Sequence, residues 1–250
     1  MKRFEGKRIV HTGGASGIGR ATVLRLLEEG ATVFTVDVSE AGLAETASAA
    51  SGLPGKLVTH PADLASEEQI IAAAEAAVEA LGSVDILING AGAMRPKAAG
   101  ASERAAFQWL LDVNYLAPVT LIRELLPHIP DGDGVVVNVT STSATKAHPG
   151  MTGYAASKGA LLAYSISLAA ELAPRRIRVV PVSPGGISTP LSASVSATEG
   201  IDFEWFSRIH PLWGEMGKPR DIAAAIAFAA SSDGAFLNGV ELRVDGGAHA

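Results

Sequence analysis

The chain has 250 residues, of which 48% are hydrophobic and 18% charged, and its net charge is −6. It contains no cysteine, which excludes disulfides, thiol catalysis and thiolate metal sites. We expect no metal site because the six histidines are scattered without ligand spacing, and a mildly acidic chain without a basic run is a poor partner for nucleic acid or an anionic membrane. The charged start and the lack of any apolar run of ~18 residues predict a cytoplasmic protein without a signal peptide or a membrane span.

Taken in chain order, short apolar runs alternate with helical patterns from Arg8 to Val244. This alternation is typical of an α/β fold in which helices cover both faces of a parallel sheet. No internal repeat, low-complexity tail or linker interrupts it. The sequence therefore predicts one doubly wound domain over residues 1–250.

A glycine-rich turn follows the first predicted strand, Arg8–Thr12, and leads into a helix and a second strand, Thr32–Val36. Such a βαβ unit of about thirty residues brings a tight turn against a helix N-terminus, where a pyrophosphate can bind. A glycine-rich turn alone is equally typical of a plain loop. With the strand, the helix and Asp37 in place, it predicts dinucleotide binding. The expected cofactor contacts in the turn are Gly13, Ser16, Gly17, Ile18 and Gly19.

Asp37 ends the second predicted strand, about twenty residues beyond the turn, where an acidic side chain can bind the adenosine ribose hydroxyls. A 2′-phosphate beside this carboxylate would place like charges together, which is costly without a cation. Ala15, Ser16 and Val38 offer no such cation. The sequence therefore predicts NAD(H) over NADP(H).

The stretch from Ser141 to Lys158 carries the clearest chemical pattern. Tyr154 and Lys158 stand four residues apart, so on a helix they share one face. An ammonium ~4.5 Å from the phenol, at an effective dielectric of ~20, would favour the phenolate by roughly 3.7 kcal/mol and lower the pKa of Tyr154. A Tyr–Lys pair at this spacing also occurs by chance on amphipathic helices, so the pair alone does not define a site.

The turn Thr12–Gly19 together with Ser141, Tyr154 and Lys158 resembles the signature of the short-chain dehydrogenase/reductase family, and the likeness covers essentially the whole chain. The resemblance implies a Rossmann-type fold with Tyr154 as general acid/base, Ser141 bound to the substrate oxygen, and Lys158 lowering the tyrosine pKa and binding the nicotinamide ribose. It also implies that Asn114 lies at a helix kink that holds a water beside Lys158. A polar residue satisfied at a helix break is an equal interpretation of Asn114.

The resemblance extends to further cofactor contacts. Asp63 and Leu64 would flank the adenine, although Asp63 alone is as typical of a turn or a helix start. The segment Asn89–Gly92 resembles the family's Asn-Asn-Ala-Gly, with Gly90 in place of the second Asn. The implied contacts are Asn89, Ala91 and Gly92 near the ribose, and Pro184, Gly185, Ile187 and Thr189 near the nicotinamide carboxamide.

A substrate lid is expected at about residues 188–217, where Phe203, Trp205, Phe206 and Trp213 crowd together. This favours an apolar or ring-bearing substrate, although the same side chains could instead pack an oligomer contact. The expected substrate pocket comprises Ser143, Met94, His148, Phe203 and Phe206, with His148 also interpretable as a plain loop residue.

The function implied is an NAD-dependent oxidoreductase that interconverts a secondary alcohol and a ketone. Two alternatives stay open at this point: a 3-oxoacyl thioester reductase that acts on an acyl carrier, and an NAD(H)-sensing binding protein without turnover.

The helix that carries Tyr154 is rich in small residues, which allows a second helix to approach closely. We therefore expect a homotetramer or a homodimer.

Overall fold

The structure is a computed structural model that describes residues 2–193, 204 and 210–250. Within these residues one sheet runs in the order β3-β2-β1-β4-β5-β6-β7, and every neighbouring pair is parallel. The strands are β1 (Arg8–Thr12), β2 (Thr32–Asp37), β3 (Lys56–Pro61), β4 (Ile86–Asn89), β5 (Val135–Val139), β6 (Arg178–Pro184) and β7 (Leu242–Val244). This architecture confirms the predicted single doubly wound, Rossmann-type domain.

Helices cover both faces of the sheet. One apolar cluster packs α3, α5 and α6 against the sheet, and another packs α1 and α8 against the opposite face. Successive side chains of β1 point to opposite faces of the sheet: Val10 packs in the first cluster and Ile9 in the second. The described helices are α1 (Gly17–Glu28), α2 (Glu40–Ala49), α3 (Glu67–Leu81), α4 (Arg104–Leu111), α5 (Ala117–Leu125), α6 (Thr152–Glu171), α7 (Pro190–Ala193) and α8 (Pro219–Ala230).

Helix α3 shows why these segments begin and end where they do. The hydroxyl of Ser66 accepts a hydrogen bond from the backbone N–H of Gln69, which satisfies one of the free donors of the first turn. Gly82 follows the last residue with φ +74°, a left-handed conformation that favours glycine and ends the helix.

The helical segment that contains Asn114 is divided in the structure. Helix α4 ends at Leu111, a π-helical turn spans Asp112–Leu116, and α5 continues from Ala117. Pro118 gives the physical reason, because proline has no N–H to donate to the carbonyl of Asn114 four residues earlier. The chain takes a wider turn at that point, and Asn114 lies within it.

The strand order places a ligand cleft. The chain moves outward from β1 to β3, then returns to add β4 on the other side of β1. At such a switch point the loops after β1 and β4 lead away in opposite directions, which opens a crevice at the carboxyl ends of the strands. Within the described residues, no helix is both long and apolar enough to cross a membrane.

Candidate active site

A cleft of about 710 Å³ opens at the carboxyl ends of the strands. Its walls come from the glycine turn after β1, the ends of β2 and β3, the segment after β4, the end of β5 and the loop after β6. The N-terminal half of α6 closes it with Tyr154 and Lys158. Residues far apart in sequence therefore meet in one crevice, at the place that the topology predicts.

The glycine turn fits closely against the segment after β4. Gly13 has φ +84°, and a Cβ there would lie 2.7 Å from the Cα of Ala91. A Cβ at Gly19 would lie 1.8 Å from the carbonyl oxygen of Gly13. Within the described residues, the Ser16 side chain makes no capping hydrogen bond at the start of α1, and no acidic residue lies in the first turn. The first-turn N–H groups thus face the cleft without a competing anion, as a bound pyrophosphate requires.

Asp37 points at this turn. One carboxylate oxygen accepts a hydrogen bond of 3.0 Å from the N–H of Ala15, and the other accepts one of 3.0 Å from the N–H of Ser39. Arg20 also contacts the turn, but its guanidinium is bonded to Glu45 and to the carbonyl of Ala15. The end of the cleft beside Asp37 is thus acidic, and its nearby cation is already neutralised.

Thr12 and His11 join the two walls beneath the cleft. The Thr12 hydroxyl accepts hydrogen bonds from the N–H groups of Gly90 and Ala91, at 3.2 and 3.1 Å. His11 is fully buried below them, and burial lowers its pKa to about 3. Its Nδ1 lies 3.4 Å from the Thr35 hydroxyl, while its Nε2 has no hydrogen-bond partner among the described residues. The sequence analysis did not single out His11, because it stands in an otherwise apolar strand.

The side chains of Tyr154 and Ser141 lie together in the wall of the cleft. Ser141 follows β5, and its Oγ accepts hydrogen bonds from the backbone N–H of Ser143 at 3.1 Å and from the Ser143 hydroxyl at 3.0 Å. These bonds leave the Ser141 hydroxyl proton available to another acceptor in the cleft. Burial raises the pKa of Tyr154, and the Ser141 hydroxyl opposes that shift.

Lys158 lies one helical turn beyond Tyr154 and is buried. Its Nζ donates a 2.8 Å hydrogen bond to the carbonyl of Val139, and burial lowers its pKa to about 8. The expectation that Lys158 would bring the tyrosine pKa below its ordinary value is wrong for this structure. Desolvation of the phenol dominates, so the pKa of Tyr154 rises instead.

Asn114 lies behind the cleft rather than in its lining. Its Oδ1 accepts from the N–H of Ala93 at 2.8 Å, and its Nδ2 donates to the carbonyl of Ala93 and to the Ser157 hydroxyl, both at 2.9 Å. The Ser157 hydroxyl in turn donates to the carbonyl of Tyr154. The side-chain amide therefore ties the segment after β4 to the turn of α6 that carries the phenol.

Two further predicted site residues support the cleft without lining it. Asn89 is buried, and its Nδ2 donates a 2.8 Å hydrogen bond to the Oδ1 of Asn138 on the neighbouring strand. Ser143 is also buried, and its hydroxyl bonds Ser141. Asn89 thus braces the sheet where a ribose contact was expected, and Ser143 orients Ser141 where a substrate contact was expected.

The remaining predicted residues within the described part of the chain line the cleft. They are Gly13, Ser16, Gly17, Ile18, Gly19, Asp37, Asp63, Leu64, Ala91, Gly92, Met94, Ser141, His148, Tyr154, Lys158, Pro184, Gly185, Ile187 and Thr189. The expected pocket residues Phe203 and Phe206 lie outside the described residues. Trp213, the described aromatic of the proposed lid, has 84% of its surface exposed and does not belong to the lining.

The substrate side of the cleft also contains residues that the sequence analysis missed. They are Trp109, Val113, Met151, His210, Pro211 and Met216. A signal was present for two of them, because Trp109 and Val113 stand four residues apart and share a helix face just before Asn114. His148, which was predicted, has a pKa lowered chiefly by burial, and its Nδ1 lies 2.8 Å from the carbonyl of Lys146. Among the described residues, no cluster of three or more His, Cys, Asp or Glu side chains is placed to hold a metal ion.

Comparisons with known proteins agree in fold and differ in substrate. A family described as enoyl-(acyl carrier protein) reductase matches residues 13–249. The chain is 36% identical to a 3-oxoacyl-(acyl-carrier-protein) reductase of Thermotoga maritima, over 98% of both chains. It is also 36% identical to a 4-formylbenzenesulfonate dehydrogenase of Comamonas testosteroni, over 94% of this chain and 95% of that one. A short-chain dehydrogenase from Burkholderia cenocepacia in complex with NADP superposes with a TM-score of 0.90 at 32% identity, covering 99% of this chain and 100% of that one.

Proposed function

The chain belongs to the short-chain dehydrogenase/reductase family of oxidoreductases, and from this premise we propose that it interconverts a secondary alcohol and a ketone with NAD(H). The observation that carries the proposal is that Tyr154 and Ser141 share a wall of the cleft with the buried ammonium of Lys158. A phenol, a hydroxyl and an ammonium in one crevice suit proton transfer to an oxygen on which charge develops.

The residues of the cleft fit a nicotinamide dinucleotide, whose chemistry, when bound, is the gain or loss of a hydride. The uncapped start of α1 and its tight glycine turn would hold the pyrophosphate. Asp37 would accept hydrogen bonds from the adenosine ribose, while Asp63 and Leu64 would flank the adenine. The loop from Pro184 to Thr189 would contact the nicotinamide carboxamide.

Tyr154 would give its proton to a ketone oxygen or take the proton from an alcohol. Ser141 would hydrogen-bond the same oxygen, since its own oxygen already accepts two bonds from Ser143 and its proton is available. Lys158 would stabilise the phenolate by its charge and would bind the nicotinamide ribose. Asn114 would act as a positioning residue, because its amide fixes the backbone of Ala93 and connects through Ser157 to the carbonyl of Tyr154.

Asp37 supports NAD(H) over NADP(H). Its carboxylate is held at the turn by Ala15 and Ser39, where a 2′-phosphate would meet it, and the nearby Arg20 is engaged by Glu45. The Burkholderia relative is described with NADP, so the choice of cofactor needs a direct test on this chain.

That test compares initial rates with NADH and NADPH in the native protein and in Asp37→Ala. We expect native preference for NADH, and a loss of roughly tenfold or more in that preference when the carboxylate is removed, since 1.4 kcal/mol corresponds to a factor of ten. Asp233→Ala, an exposed carboxylate outside the cleft, serves as the charge-matched control. A native preference for NADPH would overturn the assignment.

We propose a ring-bearing or otherwise apolar substrate. The substrate side of the cleft offers an indole, two thioethers and a valine, from Trp109, Met94, Met151 and Val113. These side chains give apolar contact area and a flat surface for a ring. The Comamonas relative, named for an aromatic aldehyde, accords with this choice.

The first experiment is a screen of secondary alcohols and ketones that follows NADH absorbance. Turnover of at least one ring-bearing ketone or alcohol is the expected result, with loss of turnover in Tyr154→Phe. Full activity of Tyr154→Phe would refute the acid–base assignment. The lid proposed for residues 188–217 and the cytoplasmic location stay predictions, as does the homotetramer or homodimer.

A second candidate is a 3-oxoacyl thioester reductase, favoured by the 36% identity to the Thermotoga enzyme. Acetoacetyl thioesters of coenzyme A and of acyl carrier protein test it directly. A kcat/KM for the carrier thioester far above that for ring-bearing ketones would select this candidate.

A third candidate is an NAD(H)-sensing protein without turnover. Tight NADH binding, combined with no reaction of any ketone, alcohol or thioester tested, would select it.

A further inference from the structure

We propose that the substrate carries an oxyanion, a carboxylate or sulfonate attached to its apolar body, and that Arg95 binds this group at the substrate side of the cleft. The inference deepens the proposed function and rests on it. It assigns Arg95 and Trp109 as the residues that select the substrate class.

Arg95 is not itself part of the cleft lining, but it lies over the ring of a side chain that is. The Cζ of Arg95 lies 3.8 Å from the centroid of the Trp109 ring. Trp109 belongs to the lining of the cleft, and so does Met94, the residue just before Arg95. A guanidinium over the face of an indole can keep N–H groups free to donate hydrogen bonds to a ligand. Those donors match the paired oxygens of a carboxylate or the three oxygens of a sulfonate.

The charges around Arg95 leave it available to a ligand. Arg95 is exposed and forms no ion pair with any described residue, whereas the nearby Lys97 lies 3.7 Å from Glu103. In the described lining of the cleft the carboxylates are Asp37 and Asp63, both in the end assigned to adenosine. An oxyanion bound beside Trp109 would therefore be attracted by Arg95 and would not be repelled by a carboxylate of the described lining.

The segment that carries Arg95 is fixed on both sides. Two residues before it, Ala93 is held through its N–H and carbonyl by the Asn114 amide. Two residues after it, the N–H of Lys97 donates a 2.9 Å hydrogen bond to the carbonyl of Gly150, in the loop that bears His148. Stacking on Trp109 between these two points orders the side chain in advance, which lowers the entropic cost of binding an anion.

The test uses a matched pair of ketones, 4-acetylbenzoate and its neutral isostere 4-acetylbenzamide, with NADH. We expect the native protein to favour the carboxylate by roughly tenfold in kcat/KM, mainly through KM. Arg95→Gln should bring the ratio of the two kcat/KM values close to one, and Arg95→Lys should retain part of it. Higher ionic strength should reduce the native ratio, because an exposed pair is screened.

Arg104→Gln is the matched control, since Arg104 begins the helix that carries Trp109 and, among the described residues, makes no cation–π contact with that ring. An equal fall of the ratio in Arg104→Gln would overturn the local site in favour of a general field. A native ratio near one, or a ratio unchanged in Arg95→Gln, would also overturn the proposal.

Calorimetric binding of 4-acetylbenzoate to the NADH-loaded protein separates this proposal from the proposed function. Binding that is lost in Arg95→Gln, without reduction of any ketone, would support the anion site and reject the ketone reductase. Reduction of both ketones at equal efficiency, with equal binding to native protein and Arg95→Gln, would support the reductase and reject the anion site. Absence of both binding and reduction would reject both.

Discussion

The pKa of the Tyr154 phenol is set mainly by burial. Burial raises its pKa above the ordinary value, and the Ser141 hydroxyl opposes that shift. A protonated phenol is the form that a ketone needs as general acid, whereas oxidation of an alcohol needs the phenolate. For the proposed reaction, the raised pKa suits Tyr154 as a general acid toward a ketone.

Replacing Tyr154 with phenylalanine tests its role in proton transfer. We expect kcat to fall by about 10²–10⁴-fold, the range that a positioned acid or base contributes, with little change in NADH affinity. Steady-state kinetics and NADH titration measure the two effects. Tyr164→Phe provides the control in the same helix, because Tyr164 packs edge-on against Tyr115 away from the lining. Equal losses in the two variants would contradict a specific role for Tyr154.

The pH dependence of ketone reduction should report Lys158. Burial lowers its pKa to about 8, so its ammonium is present below that pH and is lost as the pH rises through it. In the proposed mechanism the ammonium would stabilise the phenolate left after proton transfer, so the rate of reduction should be level near pH 7 and fall above about 8. A pH–rate profile of kcat for the native protein checks this expectation. A rate that stays constant from pH 7 to pH 10 would contradict it.

At the residue scale the sequence predicted which side chains meet but not how their pKa values shift. The four-residue spacing placed Tyr154 and Lys158 on one face of α6, and the family resemblance implied that Ser141 lies beside them. Coulomb attraction can be argued from that spacing, whereas desolvation depends on how deeply both groups are buried. Only packing of the whole chain fixes that depth.

The ends of β1 and β4 act as one unit beneath the cleft. Thr12 bonds the N–H groups of Gly90 and Ala91, and His11 fills the space below. A Cβ at Gly90 would lie 3.0 Å from the Nε2 of His11 and 2.8 Å from the carbonyl oxygen of Thr12. The close fit of these two strand ends requires glycine at position 90.

Gly90→Ala should therefore separate the two walls of the cofactor site. We expect a loss of roughly 1–3 kcal/mol in the free energy of unfolding, the usual cost of overpacking, and a higher KM for NADH. Denaturant unfolding and cofactor kinetics measure these changes. Gly100→Ala is the control, because a Cβ there meets nothing within 4 Å. Similar stability of the two variants would show that the strand ends can shift at little cost.

At the element scale, most helices and strands could be predicted from periodicity and turn residues. Ser66 and Gly82 mark both ends of α3, and the predicted β1 coincides with the observed strand. The π-helical turn could not be predicted in detail, because Pro118 indicates a disturbed hydrogen bond without fixing the turn that replaces it. The destination of the Asn114 amide likewise depends on Ala93 and Ser157, which only the tertiary structure brings close.

The whole molecule exposes apolar side chains beside β7, at one edge of the sheet. Phe236 is 103% exposed, and Ile166, Phe228 and Val240 are exposed as well. A Cβ at Gly239 would lie 3.1 Å from the Cβ of Ala169, so this segment packs against the C-terminal half of α6. Apolar surface of this kind suits the homotetramer or homodimer that the sequence predicts.

Phe236→Glu should weaken that self-association. A carboxylate at the centre of an apolar contact would be desolvated without a partner, so we expect a smaller species in sedimentation velocity. Val58→Glu makes the same change at β3, the opposite edge of the sheet, and should leave the sedimentation coefficient unchanged. Identical sedimentation of native protein and Phe236→Glu would remove this edge from the contact.

At the scale of the molecule, the sequence was sufficient for the fold and for the location of the cleft. Alternating patterns predicted a parallel sheet, and the glycine turn after β1 predicted which end carries the site. Composition could not predict which residues form the substrate wall. Trp109 reaches it from α4, far in sequence from the proposed lid, whereas Trp213 faces solvent.

The hydrogen bond between Asn89 and Asn138 affects how readily Asn89 is deamidated over time. An asparagine followed by glycine is the sequence most prone to spontaneous deamidation, because the small neighbour lets its backbone nitrogen attack the side-chain amide. Burial and the bond to Asn138 restrain that attack in the folded chain. In a heated or partly unfolded chain this restraint is lost, and Asn89 can be converted to aspartate. After refolding, a carboxylate oxygen would replace the Nδ2 donor and would face the Asn138 oxygen, which is also an acceptor, so the hydrogen bond could not form. Heat inactivation should therefore become irreversible with time, as molecules damaged at this one peptide accumulate.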